Sequence, residues 1–198
     1  MIGKPVGPAF EISEAAPSTL VVRLTRPAER NPLSISTLTE LSNSLPLWLG
    51  RDDIAVVVFT GSDDVFASGA NIRELTTLDR NAAKQFSELG QQLVNSIARA
   101  RQKTIAAING YCIGGGLDLA LACDVRVASA KARFAHPGAR LGIITGWGGT
   151  QRLPRLIGKP RALELFASAR TIDAPEALQI GLIDRIADPV LETALRLP

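Results

Sequence analysis

Two uncharged runs, residues 54–59 (Ile-Ala-Val-Val-Val-Phe) and 104–108 (Thr-Ile-Ala-Ala-Ile), constrain the fold more than any other feature of this chain. Neither alternates apolar with polar residues, so a strand made from either has to be covered on both faces. That is the position of a central strand in a parallel sheet with helices packed on it. The runs stop at turn signals, Thr60-Gly61-Ser62-Asp63-Asp64 and Asn109-Gly110. A glycine-bearing loop follows each run. Adjacent parallel strands deliver such loops to one edge of the sheet, where α/β proteins bind ligands.

The rest of the chain alternates strand and helix signals around these runs. Residues 10–12 and 20–24 pair as a hairpin across Ala15-Ala16-Pro17-Ser18. Two prolines within residues 26–32 mark a loop. Ser34 or Ser36 caps a helix carrying Leu38, Leu41 and Leu45, and Pro46 is expected to end it. Residues 82–101 form a long helix with Phe86, Leu89, Leu93 and Ile97 in one stripe. Residues 117–122, 161–169 and 175–181 read as helices and 125–128 as a third buried strand. Residues 138–149 hold five glycines in twelve positions and read as a loop with close backbone packing. The pattern is α/β, in one domain over residues 1–198 with no linker.

Composition removes several classes of chemistry. The chain has one histidine, His136, which excludes any centre built on two or more. Cys112 and Cys123 are too few for a disulfide framework and fit no CxxC spacing. Chemistry must therefore rest on carboxylates, backbone groups or a bound ligand. The formal charge is +3, and 17 of the 22 basic residues are Arg, the better phosphate partner. These positives are scattered among acids and aromatics are only 5%, which argues against a nucleic-acid surface. Residues 1–5 lack an apolar signal core, and no segment approaches the roughly 20 apolar residues that span a bilayer. A cytoplasmic chain with reduced thiols is expected.

The two glycine loops carry the strongest chemical signal. The first is Phe66-Ala67-Ser68-Gly69-Ala70-Asn71-Ile72-Arg73, and the second runs from Gly110 through Gly114-Gly115-Gly116 to Asp118. Glycines at a helix start let the backbone approach a ligand and leave free N–H groups aimed at it. One such N–H from each loop is what an oxyanion hole requires. Tight helix–strand packing would use the same triplet, and the triplet by itself does not choose. The spacing is neither GxGxxG nor a Walker loop.

Further segments extend the pattern: Arg26-Pro27 with Asn31-Pro32-Leu33, Ile105-Ala106-Ala107-Ile108-Asn109-Gly110-Tyr111, Cys123-Asp124-Val125-Arg126, Leu141-Gly142-Ile143, and Gly148-Gly149-Thr150-Gln151-Arg152-Leu153-Pro154-Arg155. In this order, with the two loops, they resemble the enoyl-CoA hydratase/isomerase (crotonase) superfamily over residues 21–186. The resemblance implies a crotonase-like α/β spiral of ββα units and an acyl-CoA thioester as partner. It implies no cofactor beyond the coenzyme A of that substrate, and assembly as a homotrimer or dimer of trimers. By motif, the backbone N–H groups of Ala70 and Gly115 are the oxyanion-hole donors. Ser68, Ala70, Asn71, Ile72 and Gly114 border the substrate, with Arg30 and Arg73 as phosphate neighbours. Asp118 is the acid/base candidate of a lyase or isomerase.

The chain also departs from that family pattern. Hydratases carry a second glutamate in a Phe-x-x-Pro-Glu segment, whereas this sequence reads Phe134-Ala135-His136-Pro137-Gly138. Dienoyl-CoA isomerases place a further Asp where Gly146 stands. A non-catalytic acyl-CoA-binding paralogue or scaffold subunit is therefore the alternative. Burial would raise the Asp118 pKa while the helix start would lower it. His136 is a candidate substitute base, read in preference as a partly exposed polar residue; Trp147 is a candidate acyl-pocket residue, read in preference as packing on Pro137 or Pro154; Tyr111 is read as a packing residue. Asp124 and Arg126 are read as structural hydrogen-bonding groups near a strand start. Residues 187–198 are read as a shortened C-terminal helical region, with the acyl site more open or covered by another subunit.

Overall fold

Both uncharged runs become central strands with an apolar layer on each side. The computed structural model describes residues 7–197, so the N-terminal stretch 1–5, where no signal core is expected, lies outside it. An antiparallel hairpin, β1 (Phe10–Ala16) and β2 (Thr19–Leu24), leads into helix α1 (Ile35–Leu49). Three strand–strand–helix turns follow. The first comprises β3 (Val56–Thr60), β4 (Val65–Ala67), α2 (Ile72–Leu75) and α3 (Arg80–Ala98). The second is β5 (Lys103–Ile108), β6 (Tyr111–Ile113) and α4 (Gly115–Ala122). The third is β7 (Val125–Ala128), β8 (Arg133–Ala135), α5 (Gly149–Ile157) and α6 (Lys159–Ser168). Then come β9 (Ile172–Asp173), α7 (Ala174–Gln179), β10 (Arg185–Ile186) and α8 (Val190–Leu195).

Each turn gives its first strand to one sheet and its second to another. The larger sheet has the order β1-β2-β3-β5-β7-β10 and is parallel from β2 onward. Val58 lies opposite Ile105, which lies opposite Val125. The smaller sheet has the order β4-β6-β8-β9, with β4, β6 and β8 parallel. The glycine loops thus leave the short strands β4 and β6, not the buried runs themselves. Because β4 and β6 are parallel neighbours, both loops still emerge at one edge.

Strand alternation splits the core in two. Val57, Phe59, Ala106 and Ile108 join Leu38, Leu41 and Leu45 of α1, Leu93 and Ile97 of α3 and Leu117 of α4. Val21, Val58, Ile105, Ala107 and Val127 face the other way and are covered by Val190 and Ala194 of α8. The C-terminal residues therefore close the second face of the large sheet. Asp124 accepts hydrogen bonds from the backbone N–H (2.8 Å) and the hydroxyl (3.0 Å) of Thr104. Arg126 donates to the Cys123 carbonyl at 2.6 Å and to Asp184 at 3.2 Å, so both residues are structural as expected.

Some boundaries differ from those expected. Ser34 caps α1 by accepting from the Thr37 N–H at 3.2 Å, but the helix continues through Pro46 to Leu49. A proline so near the C-terminus removes one backbone bond, and Trp48 packs edge-on against Phe10 at 5.8 Å to hold the last turn. A 3-10 turn, Pro137–Leu141, overlaps the start of the expected loop 138–149, and the last glycine of that loop starts α5. The sequence gives no helix signal there because Gly148-Gly149 and Pro154 are poor helix formers.

Candidate active site

The two glycine loops touch each other, and Gly69 makes this possible. Its φ is +82°, and a Cβ there would lie 2.5 Å from the Gly115 nitrogen and 2.8 Å from the Ile113 carbonyl oxygen. Only glycine combines that conformation with so close an approach. The first loop is also clamped from outside. The Ser68 N–H donates to the Arg30 carbonyl at 3.1 Å, and the Leu33 N–H to the Gly69 carbonyl at 2.8 Å. Buried Asn31 donates to the Val65 carbonyl at 2.9 Å and accepts from the Arg26 N–H at 2.7 Å.

The glycine triplet serves packing and access together. Gly114 turns the chain at φ +54° and donates its N–H to the Ala135 carbonyl at 2.8 Å. A Cβ on Gly116 would strike the Ala67 carbonyl oxygen at 2.3 Å, so this glycine lets α4 lie against β4. Gly115 begins α4. Among the described residues, the N–H groups of Ala70 and Gly115 donate no hydrogen bond to the chain. Both residues line one cavity of about 410 Å³.

That cavity has a largely apolar wall, including Leu75, Leu78, Phe86, Ile143, Ile144 and Trp147, with Asp118 and His136 among its polar lining. Ser68, Ala70, Ile72, Gly114, Gly115, Asp118 and Gly138 all line it. Three predicted residues do not. Asn71 caps α2 by accepting from the Arg73 N–H at 3.1 Å, Arg73 is exposed, and exposed Arg30 lies over the Tyr111 ring at 5.6 Å. Tyr111 is correspondingly 40% exposed and is not a core packing residue. Trp147 presses on glycines: a Cβ would meet its ring at 2.1 Å from Gly115 and at 2.2 Å from Gly90. Its ring meets Phe86 edge-on at 5.3 Å.

Asp118 is 1% exposed. Burial pushes its carboxyl up to about 7, against the downward pull of the Thr145 hydroxyl, the Arg152 charge and the Trp147 backbone N–H. Desolvation thus outweighs these three stabilising contacts of the carboxylate. Thr145, whose hydroxyl donates to Asp118 Oδ2, sits in a glycine-rich segment with no periodicity and gave no sequence signal. His136 corrects the expectation of partial exposure. It is 4% exposed, its ring lies 5.2 Å from that of Phe166, and its Nε2 is 3.5 Å from Asp118 Oδ1. Burial lowers its pKa to about 4.

These shifts have opposite effects on stability. Folded Asp118 holds its proton to about pH 7 while the unfolded group releases it near 3.8, so its contribution falls as pH rises through that window. Folded His136 stays neutral down to about pH 4 while the unfolded group protonates below 6.5, so its contribution rises with pH over that range. In the wild type the two largely offset each other. Melting of His136→Gln is expected to fall as pH increases through this interval, and that of Asp118→Asn to rise. Parallel pH slopes in both variants would refute the assignment.

Comparison with known proteins gives a consistent set. The family model described as "Enoyl-CoA hydratase/isomerase" matches residues 14–197. The "Crotonyl-CoA hydratase" of Syntrophomonas wolfei is 37% identical over 179 residues, covering 90% of this chain and 69% of that protein. The "2,3-dehydroadipyl-CoA hydratase" of Escherichia coli is 40% identical over 180 residues, covering 90% of this chain and 70% of that one. The crystal structure of an enoyl-CoA hydratase from Bacillus anthracis superimposes with a TM-score of 0.91 at 34% identity. It covers 95% of this chain and 74% of its own.

Proposed function

The chain belongs to the enoyl-CoA hydratase/isomerase family, and from that premise we propose that its cavity holds the acyl group of a coenzyme A thioester for proton transfer. The observation that supports this reading is that Ala70 and Gly115, whose N–H groups donate to no group among the described residues, both line an apolar cavity that also contains a buried carboxyl. The thioester oxygen lies between the two N–H groups, which stabilise the enolate oxyanion as it forms. Donors fixed by the backbone need no reorganisation during the reaction. The carboxylate form of Asp118 takes a proton from one carbon of the enoyl chain and, as the acid, returns it to another. The product is the isomer with its double bond moved. A carboxyl titrating near 7 is matched to both tasks at neutral pH.

Gly138 supplies no second carboxylate, and a Cβ there would lie 2.5 Å from the Ile143 carbonyl oxygen, so this backbone is shaped around a glycine. The backbone of residues 68–72 borders the pantetheine and nucleotide end, with Arg30 and Arg73 near the phosphates from outside the acyl cavity. The assembly that goes with this reading is a homotrimer or a dimer of trimers, working in the cytoplasm. Among the described residues, no helix is long and apolar enough to cross a membrane.

A panel of acyl-CoA esters, assayed for binding by calorimetry and for product in parallel, tests the proposal. The expected result is micromolar-range binding with conversion of at least one enoyl ester. Binding without product across the panel would favour a non-catalytic acyl-CoA carrier. Absence of binding would overturn both.

A further inference from the structure

We infer that His136 is the proton partner of Asp118, the two side chains forming one acid/base unit in place of a second carboxylate. This rests on the thioester reading above. Asp118 Oδ1 and His136 Nε2 face each other at 3.5 Å, and among the described residues neither atom has a hydrogen-bond partner. Two buried polar atoms left unmatched are costly to a fold, and a pair kept only for stability would be closed by a direct hydrogen bond. Here the two atoms face each other, and both residues line the same cavity.

The surroundings hold that arrangement. Thr145 engages Asp118 Oδ2, leaving Oδ1 toward the imidazole, and Phe166 packs against the ring. The backbone of Gly149 seals one side: a Cβ there would lie 2.2 Å from Asp118 Oδ1 and 3.2 Å from His136 Cε1. His136 Nδ1 donates to and accepts from no group of the chain among the described residues, and so is available to a ligand. The other ionisable groups acting on the pair are Arg152 of α5 and Cys112 of β6. The thiol is buried and neutral, held well above its ordinary range. From α6 the ring meets Phe166, which carries no charge.

Such a unit adds an ability that Asp118 lacks alone. With one proton on the pair, a water molecule can bond through oxygen to the β-carbon while its released proton passes to the pair. The pair's original proton goes to the α-carbon. The thioester oxyanion charge is transient, and the pair ends as it began, with one proton. A lone carboxyl serves a proton shift between carbons, whereas the pair serves addition of water across the double bond.

His136 is the sole histidine, so tag-free protein labelled with nitrogen-15 has one imidazole to follow. The expected result is a step in its ring-nitrogen shifts near neutral pH, as Asp118 ionises, that is absent in Asp118→Asn. His136→Gln is expected to lower kcat for hydration of crotonyl-CoA by about a hundredfold with KM little changed, and to alter the pH profile. His136→Asn serves if the first variant does not fold. Identical imidazole titrations in wild type and Asp118→Asn would overturn the inference, as would an unchanged kcat and pH profile in the folded histidine variant. A wild type that converts no enoyl ester would overturn the thioester reading instead, while the imidazole titration still decides the pair.

Discussion

Asp118→Asn lowers turnover of an enoyl-CoA ester by at least about a hundredfold, the usual scale of general acid–base catalysis, while ester affinity is kept. The amide has the shape of the carboxyl and an oxygen that can still accept from Thr145, so the cavity wall survives. What disappears is the only carboxyl that lines the cavity among the described residues. The variant also loses a buried acid whose ionised form is disfavoured, so its fold is expected to hold at neutral pH and above. Steady-state kinetics together with calorimetric binding separates these effects. Unchanged turnover in the folded variant would remove Asp118 from the chemistry.

Gly69→Ala has an effect of similar size for a different reason. Its methyl would sit 2.5 Å from the Gly115 nitrogen, at a residue whose φ is +82°. Backbone there must shift, and the shift moves Ala70 and Gly115 apart. Loss of one oxyanion donor costs about a hundred- to a thousandfold in kcat. Strain at such a position costs stability as well, about 1–3 kcal/mol. Gly181→Ala separates the two, because φ there is +78° and nothing lies within 4 Å of an added Cβ. It is expected to lose stability and keep turnover. Equal activity in Gly69→Ala and wild type would contradict the donor assignment.

How much was legible in the sequence depended on how local each determinant is. The strands β3 and β5 were readable because double coverage leaves its mark in every residue of the run. The glycine loops were readable because backbone access demands glycine. Strands β4, β6 and β8 have three residues each, too few to show alternation, although they place the loops. The sign of the Asp118 shift depends on how deeply α4 is buried against α5, a tertiary fact. Burial of His136 depends on Phe166 of α6, which no local pattern relates to it. Arg30 and Arg73, matched by motif to the phosphate end of the substrate, lie outside the wall of the acyl cavity, where no local pattern could have placed them.

The central claim is that backbone donors polarise a thioester carbonyl, and vibrational spectroscopy reads that bond. Crotonyl-CoA carrying a carbon-13 carbonyl is bound to the wild type and to Gly69→Ala, and its C=O stretch is compared with that of the free ester. Two fixed N–H donors weaken the bond, so the frequency falls on binding to the wild type and falls less in the variant. A bound frequency equal to that of the ester in water would contradict the account.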